Sequence, residues 1–182
     1  MKIDAAQADM RHAYLGGSAG IFASSLAWLS AALVAHFVSP RAGITTLFVG
    51  GMLIHPAAIL LSKLLGRPGS HAKDNPLARL AIETTIWLLL AIPLAFLLSF
   101  QRVEWFFIAM LATIGGRYFT FSTLYGMRIY WAIGTALALA AFGLAATNAG
   151  AVTVAVAGGI IEMVFAGTVF ASARRSPATA PA

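Results

Sequence analysis

The chain has 182 residues, of which 60% are hydrophobic and only 10% charged, an apolar excess that a soluble domain does not carry. Twelve Lys and Arg against six Asp and Glu give a net charge of +6, but the basic residues fall between apolar runs, which points to membrane topology and away from nucleic acid. With no cysteine, disulfides, thiolate metal sites, iron–sulfur ligation and thiol catalysis are excluded.

A helix crossing about 30 Å of hydrocarbon needs about 20 apolar residues. Residues 1–14 contain Lys2, Asp4, Asp9 and Arg11 and read as a cytoplasmic N-terminal segment. The apolar run that follows is longer than the roughly 7 to 15 residues of a signal-peptide core, so no cleaved signal is expected. The first span, residues 15–38, has small residues at Gly17, Gly20, Ser24, Ala27, Ala31 and Ala35, a single helical stripe that allows close approach of a neighbour. After "SPRAG" comes the second span, residues 44–65, with His55 and Pro56. In "GRPGSHAKDNP", Asn75 is placed to cap the third span, residues 77–100, which holds Glu83 and Pro93. Pro56 and Pro93 remove the helical donors of Met52 and Leu89, so both spans are expected to bend. "QRVE" leads into the fourth span, residues 105–125, and "GMR" into the fifth, residues 129–147, where Ala132, Ala136, Ala140, Gly143 and Thr147 form a second small stripe. "NAG" precedes the sixth, residues 151–172, with a third stripe through Ala151, Ala155, Gly158, Glu162 and Ala166. Residues 173–182 read as a disordered tail.

The expected fold is therefore all-α: a polytopic membrane bundle of six transmembrane helices over residues 15–172. Of the eleven basic residues in the loops, the terminal segments and the ends of the spans, nine (Lys2, Arg11, Lys63, Arg67, Lys73, Arg79, Arg128, Arg174 and Arg175) fall on one side, and Arg41 and Arg102 on the other. That places both termini in the cytoplasm, in a cell inner membrane.

The twelfth is Arg117, inside the fourth span in "TIGGRYFTFSTLYG". An arginine at mid-span costs about 2.5 to 3.5 kcal/mol, so it calls for a partner. Glu162 matches it in depth and lies on a small-residue face, making Arg117–Glu162 the first expected pair, with Glu83 as the alternative. Glu83 could itself be satisfied by Arg79, four residues earlier on the same helix face. His55 sits at similar depth, and a cluster of Arg117, Glu162, Glu83 and His55 would titrate. Tyr118, Thr120 and Tyr125 beside Arg117 suit an amphipathic ligand, although such hydroxyls also bond back to carbonyls one turn earlier. The four histidines occupy separate elements with no i, i+4 pair, so no metal site is expected. No cofactor fingerprint is present either. Glycine pairs precede three of these residues, at Gly50/Gly51, Gly115/Gly116 and Gly158/Gly159.

The strings "GGMLIHP" and "TIGGRYFTFSTLYG", with the flanking third span, resemble a family of small bacterial integral membrane proteins of unknown function. The resemblance covers most of the chain and implies no activity, substrate or catalytic residue. From the residues themselves, the leading expectation is a small carrier or binding protein for an anionic or amphipathic solute, more readily a non-enzyme than an enzyme. The alternatives are an intramembrane enzyme acting on a lipid-like substrate, with His55 or a glutamate as general base, and a structural or accessory membrane subunit. The expected surroundings are the lipid bilayer and no nucleic acid, with a homo-oligomer kept open because six short-looped spans enclose a path more easily with a second copy.

Overall fold

The computed structural model describes residues 1–175, and among these the chain is entirely helical. The order is α1 (Ile3–Tyr14), a 3-10 turn (Leu15–Gly17), α2 (Ser18–Phe37), α3 (Pro40–Leu64), α4 (Leu77–Ser99), α5 (Glu104–Tyr125), α6 (Ile129–Ala146) and α7 (Ala151–Arg175). Five stretches are long and apolar enough to cross a membrane: the one containing α2, then α3, α4, α6 and α7. α5 falls short of that composition because Arg117, its hydroxyls and its glycines interrupt the apolar run. The disordered tail was expected over 173–182; α7 covers the first three of those residues, and the rest lie outside the described residues.

Local signals set the helix starts. Ser39 accepts the Ala42 N–H at 3.1 Å, with Pro40 in the first turn of α3. Asn75 Oδ1 accepts the Leu77 N–H at 3.0 Å, the cap anticipated for α4. α5 ends at Gly126 in the left-handed region, φ 63°. α3 and α4 run through Pro56 and Pro93 without interruption.

The helices form two groups. α3, α2 and α7 pack tightly side by side, as do α4, α5 and α6, and the groups meet where α5 and α6 lie along α7. Small residues explain the tight contacts: Gly43 sits against Ala31 and Ala35, Gly50 against Ala27, and Gly158 between Trp28 and Leu111. The stripes anticipated on α2 and α7 are largely buried. The one on α6 is not: Ala132 and Thr147 are exposed and Gly143 touches nothing. α6 instead buries Tyr130, Ile133, Gly134, Leu137 and Ala141, because Gly134 crosses Gly115 and Phe119 of α5 so closely that this face alone fits.

α1 was unforeseen. It buries Ala6, Met10 and Ala13 across one end of the bundle. Gln7 Nε2 donates to Thr123 O at 2.8 Å and Arg11 Nη1 to Tyr125 O at 2.5 Å, satisfying carbonyls at the end of α5. Asn75 Nδ2 donates to Ala6 O at 3.0 Å and to Asp9 Oδ2 at 2.7 Å, and Asp9 also accepts the Ala72 N–H. Between α1 and α2 the chain turns through three consecutive left-handed residues, Leu15, Gly16 and Gly17 at φ 52°, 62° and 89°. At the opposite end, Arg102 Nη1 donates to Asn148 Oδ1 at 2.6 Å, tying the α4–α5 and α6–α7 turns together.

Candidate functional site

The small-residue face of α7 carries Glu162 into the bundle, where it is 0% exposed. Its partner is Tyr118 of α5, whose hydroxyl donates to Glu162 Oε1 at 2.8 Å. Oε2 has no hydrogen-bond partner, and Ser24 of α2 lies beside the carboxyl. A carboxyl held in a low-dielectric core by one hydroxyl, with its second oxygen free, is an arrangement that can exchange a proton.

An aromatic column runs from this carboxyl to the α1 end of the bundle. Tyr118 stacks on Tyr130 with centroids 6.0 Å apart, and Tyr130 on Tyr125 at 5.4 Å. Phe121 stands edge-on to all three rings. Tyr130 closes the column by donating its hydroxyl to Gly16 O, in the left-handed turn, at 2.5 Å.

Arg117 is half-buried next to this column. Its Cζ lies 5.1 Å from the Phe121 centroid, and Nη2 donates to Thr85 Oγ1 of α4 at 3.1 Å. Nε is buried without a partner. The expected Arg117–Glu162 ion pair is not formed, nor is one with Glu83; among the described residues the one ion pair is Arg102 with Glu104. The reason is rotational. Adjacent residues point about 100° apart on a helix, so with Tyr118 turned to α7, Arg117 faces α4 and Thr85.

The other anticipated residues separate. Thr120 Oγ1 bonds back to Arg117 O at 2.7 Å, and Thr113 and Ser122 bond back likewise, so α5 uses these hydroxyls internally. Tyr125 is buried in the aromatic column. His55 on α3 and Glu83 on α4 are exposed and form no hydrogen bond, so the four-residue titrating cluster does not assemble, and the Arg79–Glu83 pair is absent too. Among the described residues no three of His, Cys, Asp and Glu come together as metal ligands. Sequence reasoning missed Thr85, Tyr130 and Ser24, which are ordinary in type and gain importance only from what the fold sets beside them. Two grooves, of about 750 Å³ between α2 and α3 and about 330 Å³ between α2 and α7, have apolar linings and include neither Arg117 nor Glu162.

The model of DUF7010, described as a family of unknown function, matches residues 3–172. No curated protein and no solved structure matches the chain.

Proposed function

The chain belongs to DUF7010, and from the geometry of its site we propose that it is an inner-membrane protein that binds, and as a carrier moves, a small anionic amphipathic solute. Arg117 takes the negative group, and Glu162 exchanges a proton through Tyr118. The observation that carries this reading is the state of Arg117: a half-buried guanidinium midway along an apolar helix bundle, with no carboxylate bonded to it and with Nε unpartnered, is a cation held for a charge the protein does not supply. Six spans, α2 to α7, with both termini cytoplasmic, complete the proposal. Its support is that α1, the α3–α4 loop and the α5–α6 turn gather at one end, and these segments with the chain and helix ends that flank them hold Lys2, Arg11, Lys63, Arg67, Lys73, Arg79 and Arg128, seven of the twelve basic residues.

A scaffold role is the second reading, favoured by one observation: the Tyr118–Glu162 bond joins the two helix groups and would fix their packing without a ligand. The test is an Arg117→Leu, Glu162→Met protein, checked for monodispersity, then for retained ligand by mass spectrometry and for proton-driven uptake in vesicles. Loss of ligand and uptake from a folded double variant supports the carrier. Retention of both makes the site architectural. Reporter fusions at Lys73 and Arg102 check orientation, with a cytoplasmic Arg102 overturning it.

A further inference from the structure

α3 and α4 are consecutive, yet they scarcely touch; α3 leans on α2 and α4 on α5. The resulting cleft has polar groups at one level. Around α5, Phe106 meets Phe96 of α4, Phe107 meets Trp28 of α2, and Tyr118 meets Glu162 of α7. At about 100° per residue, Arg117, beside the α4 contact, and Phe121 fall in the sector between the α4 contact and the α2 and α7 contacts, and since α3 packs on α2 and touches α5, this is the sector left for α3. On α3, the flank bearing Ile59 and Lys63 is the one against which Gly69 of the loop to α4 lies. His55 is one turn before Ile59 on that flank and is exposed, and Gly51, a turn earlier, has open space where a side chain would project. Counted from the α1 end at about 1.5 Å per residue, His55 lies about 13 Å in, and Arg117 and Thr85 about 12 Å in. The α1 end itself is covered by the buried face of α1 and its bonds to Thr123, Tyr125 and Asn75.

We propose that the cleft between α3 and α4 is a lateral entrance through which an anionic membrane lipid brings its head group to Arg117, with His55 as a second head-group contact. The proposal rests on the anion-binding reading of Arg117 and adds the class of ligand and its route. An opening flanked by exposed apolar faces of α3 and α4 admits molecules from the bilayer, and the bilayer's own anions are its lipids. The guanidinium fork matches a phosphate or carboxylate, Thr85 holds it in place, and Phe121 lies against its face.

The test uses the purified chain in phosphatidylcholine discs with and without phosphatidylglycerol, read by native mass spectrometry. Gly51→Trp fills the cleft from a position with room for it, and Gly143→Trp is the control at an equally open site on α6. The wild-type chain should retain phosphatidylglycerol in preference to phosphatidylcholine. Occupancy should fall about tenfold in Gly51→Trp, severalfold in His55→Leu, and not at all in Gly143→Trp. A graded series at Gly51 through Leu and Phe, with melting temperature held, guards against misfolding. No preference for phosphatidylglycerol, or equal occupancy in both Trp variants, overturns the entrance. Inorganic phosphate is the soluble arm: phosphate binding lost in Arg117→Leu, together with phosphatidylglycerol occupancy unchanged by Gly51→Trp, leaves the anion site standing and removes the lateral route. Phosphatidylglycerol retained at full occupancy in Arg117→Leu removes both.

Discussion

Tyr118 and Glu162 share one hydrogen bond that crosses between the two helix groups, from the centre of α5 to the centre of α7, with both residues buried. Tyr118→Phe deletes it without changing shape and strands a carboxyl whose other oxygen is already unpartnered. The expected loss is about 1–3 kcal/mol, read as a lower melting temperature in detergent. A second replacement, Glu162→Leu, should return part of that loss, because the unpaired polar group goes with it. An unchanged Tyr118→Phe melting curve would mean that the bond carries no weight.

Glu83 provides the comparison. It is exposed and unpaired, so Glu83→Gln should shift the melting temperature less than Glu162→Gln, which places an amide in a core built around one donor. Equal shifts would show that Glu83 has a partner under the conditions of the measurement.

Gly115 and Gly116 are neighbours with opposite tolerances. A side chain at Gly115 meets the α6 backbone at Gly134 and Ala138, whereas one at Gly116 meets nothing. Gly115→Leu should separate α5 from α6 and cost monodispersity on size exclusion, and Gly116→Leu should elute as wild type. A matching elution profile for the two would contradict the close crossing.

Asn75 anchors α1 through Ala6 and Asp9 and starts α4 through Leu77. Asn75→Ala removes all of these, for an expected loss of about 1–3 kcal/mol. Hydrogen exchange should rise over residues 3–14 before it rises in α5. Unchanged protection there would show that the buried face of α1 suffices to hold it.

Depth along a helix was legible in the sequence; rotation about it was less so. Glu162 was found because the three-and-four spacing of its small neighbours gave it a face, and the structure buries that face. Arg117 pairs with Glu162 in the sequence by depth and by the face of Glu162, with nothing to fix its own rotation, and one residue of rotation gives its place beside Glu162 to Tyr118. The stripe on α6 failed in part for a related reason: Ala132, Gly143 and Thr147 line the outside, Ala136 and Ala140 are half-buried, and the closest contact is made by Gly134 with large neighbours. α1 was invisible because its burial depends on Thr123, Tyr125 and Asn75, which no local pattern connects to residues 3–14.

The left-handed turn at Leu15–Gly17 has a further consequence for how the molecule is made. Gly16 O takes its bond from Tyr130, Gly17 packs against Tyr125 and Tyr130, and α1 takes its own bonds from Asn75 and the end of α5. Every one of these partners is synthesised well after α1. α1 thus leaves the ribosome before the partners that hold it in place. Until the end of α5 arrives, Gln7 and Arg11 lack the carbonyls of Thr123 and Tyr125, and Ala6, Met10 and Ala13 wait, incompletely covered, as the apolar side of a short amphipathic helix.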